Sequence, residues 1–274
     1  MLSLFSNVLA GRSPNEFKLG HNQGNEADRR KNQSQTKHAE PYEFKSQNGI
    51  AVCILDTPGL ADSRGIDHDE RHKADIATVI QENIETINAV IILTNGTVQR
   101  LSVATDYALS TLSSMFPLSL ANNIGIVFTC VTGHLGCNFV PHSLPEALRG
   151  IKGNQFPLDN SVARWQQLNI KRGEEWDIES EEGELEYEVE DCHKKALRVL
   201  ARLFDWLDTL TPQQTKDILT VYERYREINS RVDNALARAE QSAERKAQLR
   251  NLLESTKSHK IVRWSNVLSS RDHY

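Results

Sequence analysis

No apolar run in the 274 residues reaches the roughly 18 needed to cross a bilayer, so the chain offers no membrane-spanning helix. Cysteine is scarce. Cys53, Cys130, Cys137 and Cys192 form no C-x-x-C pair, which argues against a disulfide framework and points to a reduced, cytoplasmic protein. Strong charge of either sign is also missing. The net charge of -5 is small, and a mildly basic tail does not by itself mark a nucleic-acid binder. The four tryptophans, Trp165, Trp176, Trp206 and Trp264, show no interleaving with basic residues, so a stacking platform for bases is not expected. There is no internal repeat. The opening stretch MLSLFSNVLAGR lacks a basic flank, and Ser3, Ser6 and Asn7 interrupt its apolar residues, so it is expected to be a structural helix rather than a targeting segment. One absence bears on chemistry: no G-x-x-x-x-G-K-[ST] phosphate loop occurs anywhere.

What is present supports a core. Hydrophobic residues make up 39% of the chain, although a mean hydropathy of -0.50 implies long solvated segments too. Residues 18–38 are polar and rich in Gly and Asn, hence a loop. AEPYEF and IAVCILD flank the turn SQNG and predict a hairpin-like strand pair. Ile76, Val79, Ile80 and Ile84 recur at helical spacing, so 69–86 is expected to be a helix, and 100–116 is a second amphipathic one. NAVIILT (88–94) and NIGIVFT (123–129) are continuously apolar and predict buried strands, with a short last strand in NQFPLDNS. Strands that are apolar throughout and alternate with helices indicate an α/β fold with a mostly parallel sheet covered on both faces. Ligands bind such sheets beyond the carboxyl ends of the strands, where Asp56, Thr94, Thr129 and Asp159 lie.

The remainder has a different character. Residues 173–191 carry eleven acids and are expected to be a solvated linker. KKALRVLARLFDWLDTL is an amphipathic helix. TPQQ (211–214) predicts a helix start, with Thr211 as N-cap, Pro212 in the first turn and Gln214 reaching back. The helix that follows is expected to run to about residue 256. Ile218, Val221, Tyr225, Ile228, Val232, Ala235 and Ala239 alternate by three and four, a heptad seam suited to a protein partner or to self-association.

Chemistry concentrates in ILDTPGLADSRGID, residues 54–67. An acid closing a buried strand suits Mg²⁺, which keeps several waters and takes few protein ligands. Gly59 leaves its backbone N–H bare enough to approach a phosphate oxygen, and Pro58 stiffens the turn. The blocks LDTPGLADSRGID, INAVIILTNGTVQRL, NIGIVFTCVTG, FPLDNS and LTPQQTKDI together resemble the TRAFAC-class P-loop GTPases. Within that class they resemble the immunity-associated, septin- and chloroplast-import-receptor-like GTPases that carry a helical tail. The resemblance implies a P-loop NTPase-like G domain over 1–168, an acidic linker over 169–191, a helical extension over 192–257 and a tail over 258–274. It implies GTP or GDP with Mg²⁺ as ligands. Asp56 and Gly59 then sense the γ-phosphate, and Thr36 is the switch-loop threonine that ligands Mg²⁺. The loops around Thr36 and Asp62–Arg64 would report the nucleotide state. Base recognition is less complete: Thr129-Cys130-Val131-Thr132-Gly133 stands where a base-reading N-K-x-D or T-K-x-D is usual, with Thr129 at its head and Asn160 as the second polar contact.

In this class the phosphate loop leads into G-K-S-T-L-x-N-x-L-x-G. Setting Asn7-Val8-Leu9-Ala10-Gly11 on the end of that pattern brings Ser3 to the Mg²⁺-binding serine and implies that the chain begins N-terminally truncated, at the helix after the loop. Leu60 follows Gly59, so no side-chain amide is present there to orient water for hydrolysis, and Arg64 and His68 are the candidates for assistance. Cys130, His134, Cys137 and His142 make a C-x₃-H-x₂-C-x₄-H array that fits no familiar zinc spacing. The two functional expectations are a GTP-dependent switch and a degenerate, non-hydrolysing G-domain scaffold. Because the backbone N–H groups and lysine of a phosphate loop supply most of the grip on a triphosphate, calorimetric titration of this chain with GTP should show no micromolar binding. Micromolar affinity would overturn that reading.

Overall fold

The alternating residues of EPYEFK and the run AVCILD form β1 (Glu40–Lys45) and β2 (Ala51–Asp56) in the computed structural model, which describes residues 1–26, 36–59, 66–99, 118–140, 154–173 and 182–269. The two strands pair antiparallel, from Glu40 opposite Asp56 to Lys45 opposite Ala51. The turn between them closes through the Ser46 N–H on the Ile50 carbonyl at 2.9 Å, and Gly49 supplies the φ of +81° that a side chain would resist. Ahead of the hairpin, α1 (Leu2–Leu9) buries Leu2, Ser3, Leu4 and Asn7. After it, α2 (Ile66–Asn83) matches the expected helix, shifted by about one turn.

Among the described residues the parallel sheet has three strands. β4 (Val90–Asn95), β5 (Ile124–Thr129) and β6 (Gln155–Leu158) lie in that order, with Thr129 opposite both Asn95 and Leu158, so their carboxyl ends align. β5 is central and buried because both of its faces are covered. Ile124, Ile126 and Phe128 pack with Val131 and Phe139 on one side. Val127 joins Leu4, Phe17, Phe156 and Leu200 on the other. Gly125 lies on that second face, where a Cβ would come within 2.9 Å of the Trp206 ring. Among the described residues the β1–β2 hairpin and the parallel sheet are separate sheets, and no strand covers the outer edge of β4, where Leu93 is 50% exposed. The expected helix over 100–116 lies outside the described residues.

Two segments differ from expectation. The acidic stretch is helical from Glu182: α4 (Glu182–Asp208) begins ten residues before Cys192, and α3 (Ser161–Gly173) precedes it. Its acids are partly engaged, since Arg172 of α3 donates to Glu182 at 2.7 Å and also to Glu186. Val189, Cys192, Ala196, Leu200 and Leu203 make one buried stripe at helical spacing that packs on β6 and α3. The other difference concerns TPQQ. β3 (Thr86–Ile87) pairs antiparallel with β7 (Gln213–Gln214), and α5 starts only at Thr215, running to Ser269. Long-range polar bonds outweigh the local cap here. The Asn123 amide donates to the Thr211 carbonyl at 2.9 Å, and the Thr215 hydroxyl donates to the Ile84 and Glu85 carbonyls at 2.7 and 3.0 Å.

The chain divides into two units, Met1–Tyr222 and Glu223–Tyr274. Within the first, the α4 stripe belongs to the same core as β5 and β6. The described part of the second is α5 beyond Tyr222. A fully buried leucine in such a core stabilises by about 2–3 kcal/mol and leaves a cavity when truncated. Leu200→Ala should therefore cost about 3 kcal/mol of unfolding free energy in a urea titration followed by tryptophan fluorescence. A cost under about 0.5 kcal/mol, the size of an ordinary surface substitution, would show α4 to be an appendage instead.

Candidate functional site

Thr36 and Asp56, twenty residues apart, meet through a hydrogen bond: the Thr36 hydroxyl donates to Asp56 Oδ2 at 3.1 Å. Several local polar contacts bring them together. Glu26 and Thr36 form an isolated antiparallel bridge, and Lys37 N–H donates to the Asn25 carbonyl at 2.9 Å. The Asn25 side chain clasps His38 from both sides, accepting from its N–H at 3.1 Å and donating to its carbonyl at 2.9 Å. Asp75 of α2 then accepts from the Ala39 N–H at 2.7 Å and fixes the start of β1. Residues 36–39 therefore enter the hairpin in one position, with Thr36 against the end of β2.

A second group lies beside them. Asn7 is fully buried and bridges α1 to the next loop, donating to the Ser3 and Lys18 carbonyls at 2.6 and 2.7 Å and accepting from the Lys18 N–H at 3.0 Å. That bridge sets Gly20 N–H to donate to the Ser3 hydroxyl at 3.1 Å and places His21 Nδ1 2.8 Å from the same oxygen. His21 Nε2 in turn lies 2.9 Å from Glu26. Ser3 is therefore buried and already engaged, connected to the Thr36 bridge through His21 and Glu26.

Burial raises the Asp56 carboxyl above the ordinary carboxylate value. The Thr36 hydroxyl, the Met1 amino group, His21 and the Thr57 backbone pull it back down, but by less. This half-buried carboxylate has less positive compensation than its burial calls for. The Asp56 carboxylate with the Thr36 hydroxyl against it offers oxygen donors, the kind that suit Mg²⁺ rather than a softer metal. The residues present thus fit the ion by type. Among the described residues no cluster of three His, Cys, Asp or Glu side chains is suited to a metal, so Cys130, His134 and Cys137 do not converge; His142 lies outside them.

Thr129 and Asn160 lie elsewhere, at the carboxyl ends of β5 and β6. Thr129 donates to the Thr94 carbonyl at 3.2 Å. Asn160 serves as the N-cap of α3, its side-chain oxygen accepting from the Val162 and Ala163 N–H groups at 3.1 and 3.3 Å. Beside it, Asp159 pairs with Arg164 at 2.7 Å. Cys130 follows Thr129 with a φ of +63°, so the chain bends sharply where β5 ends.

Residues 25–155 match the AIG1 family. AIG1 is a family of TRAFAC-class GTPase G domains, the class that the D-T-P-G block led us to expect. No curated protein matches the chain. The AIG1 segment contains Thr36, Asp56, Gly59 and Thr129, and leaves Ser3 and Asn160 outside. Leu60 and Asp62–Arg64 fall within it but outside the described residues. His68 is at the start of α2, its ring 5.8 Å from that of His72.

Sequence reasoning used Asn7 to set the register of α1 without foreseeing its bridging role, and did not anticipate His21, Glu26 or Asn25. The signal for Asn7 was available, since it is a polar residue four positions after Ser3 on the face of α1 that also carries Leu4. The others sat in a stretch whose composition said only loop.

The raised Asp56 carboxyl has a consequence for stability. The folded state holds that proton more tightly than the unfolded chain does. The cost of ionising it is therefore absent below the ordinary carboxylate range and complete above the raised value. Asp56→Asn should raise the melting temperature at neutral pH. The gain should vanish as pH falls below the ordinary carboxylate range, read by thermal unfolding scanned across pH. A gain independent of pH would assign the effect to packing.

Proposed function

We propose that the chain acts as a GTP-binding switch in which Asp56 and Gly59 face the γ-phosphate and Thr36 and Asp56 hold Mg²⁺, with Ser3 beside them. Thr129 and Asn160 are the base-side contacts in this reading. The Thr36–Asp56 hydrogen bond inside the AIG1 segment carries it, because it brings the two oxygen-bearing residues expected at the ion into contact from distant points of the chain. Bound Mg²⁺ supplies the positive charge that the Asp56 carboxylate lacks and neutralises phosphate oxygens.

The protein's own residues do the positioning. Asn25 and the Glu26–Thr36 bridge hold the loop that presents Thr36. Asp75 ties that loop to α2, which follows the D-x-x-G segment. A change at either end is thereby felt at the other. The extension beyond Tyr222 serves as the surface read by a protein partner or by a second copy, while α4 packs on the first unit's own core. The second reading is a non-hydrolysing G-domain scaffold; it accords with Leu60 after Gly59, which offers no side-chain amide to orient water.

Amide resonances around Thr36 and Asp56 distinguish the two. With millimolar GTP and Mg²⁺ together, these resonances should shift, and Asp56→Ala should abolish the Mg²⁺-dependent part. GDP should leave Thr36 unmoved. A spectrum indifferent to GTP and Mg²⁺ at every concentration would leave the scaffold as the function.

A further inference from the structure

We propose that α5 beyond Tyr222 docks a helix flanked by acidic residues, and that its charge pattern rejects a second copy of this chain. The inference deepens the reading of the C-terminal extension as a partner surface and does not depend on nucleotide. The three-four alternation that begins at Ile218 continues past Ala239 through Ser242, Lys246, Leu249 and Leu253 to Thr256. Among the described residues of this unit its larger apolar members lie open: Ile228 is 59% exposed, Val232 50%, Leu249 61% and Leu253 58%. A repeat held to 3.5 residues per turn over this length suits a supercoiled partner helix, because the seam drifts around a straight helix.

The residues bordering the seam decide the partner. Arg224, Arg231, Arg238 and Arg245 recur every seventh residue on one flank, and Arg250 and Lys257 extend the basic border on the other. All six are exposed. The acids of this stretch, among them Asp233, Glu240, Glu244 and Glu254, occupy the positions away from the seam. Arg231 makes a long contact of 3.9 Å with Glu227 on its own helix. In a parallel pair of copies, Arg245 would meet Arg250 of the other chain, and no acid would face any flanking arginine. In an antiparallel pair, arginine flank would meet arginine flank. The middle of the seam, Ala235, Ala239, Ser242 and Lys246, buries little apolar area to offset this repulsion. Acidic flanks on a partner would pair with the arginines and also reach Lys246 within the seam.

Anionic membrane is the competing surface for a basic helix. Exposed Leu236 and Leu252 widen the apolar face at two flank positions, but Ala235, Ala239, Ser242 and Lys246 interrupt it, and a helix lying on lipid needs a wide, continuous apolar face.

The test uses the full chain and two synthetic peptides matching the register of 225–257, with Leu at every seam position and either Glu or Lys at every flank. Fluorescence anisotropy should show the Glu-flanked peptide binding at least about tenfold more tightly than the Lys-flanked one, with the gap closing at high salt. Changing the four flank arginines together (R224E, R231E, R238E, R245E) should invert the preference while circular dichroism stays unchanged. The chain alone should sediment as a monomer. Equal affinity for both peptides would overturn the charge assignment yet keep helix docking. Binding to neither would remove the docking role of α5 itself. Self-association at micromolar concentration, or co-sedimentation with phosphatidylserine–phosphatidylcholine vesicles without peptide binding, would overturn the proposal in favour of a second copy or of lipid.

Discussion

The apolar stripe of α4 against β5 and β6 is the contact on which the rest of the first unit depends. Leu200 and Leu203 meet Val127, Phe156 and Leu158, and the same cluster takes in Leu4 of α1 and Phe17 of the following loop. One continuous core therefore ties the beginning of the chain, the middle of the sheet and a helix nearly two hundred residues later. The buried groups around it follow from that closure. Ser161 and His193 share a hydrogen bond at 3.2 Å, and burial lowers the basicity of the His193 ring. Burial likewise pushes the Cys192 thiol up to about 11, which leaves it protonated and inert at neutral pH.

The elements carried by periodicity were legible from sequence. NIGIVFT could hardly be anything but a buried strand, and the alternation in EPYEFK foretold a hairpin partner for IAVCILD. Where the prediction and the structure part, the deciding interaction is long-range. The residues 182–191 look like solvated linker by composition, because eleven acids over 173–191 dominate any local average. Yet Val189 and Cys192 continue the stripe of Leu200, and core packing carries the helix back through the charged turns. TPQQ has good capping chemistry, but carbonyls from Ile84 and Glu85, more than a hundred residues earlier, compete for Thr215 and pull Gln213 and Gln214 into a strand.

The site was legible in part for the same reason. Asp56 announces itself by ending an apolar strand before Thr-Pro-Gly, and Thr36 by its place before the hairpin. What could not be read was how they are held. The pins are side-chain amides, Asn7 and Asn25, which hold mainly backbone groups with no sequence signature, with Arg12 and Glu40 as their side-chain partners. Asn160 shows the converse. Its position beside Asp159 is visible in the sequence, but its side-chain oxygen already satisfies the first turn of α3.

The Thr215 hydroxyl and N–H both bond to the chain just beyond α2, and β7, immediately before Thr215, pairs with β3. These bonds make a pivot. The far end of α2 and the first turn of α5 therefore share one attachment. Any rotation of α2, the helix that follows the D-x-x-G segment, would have to break these bonds or carry with it the root of the longest helix among the described residues.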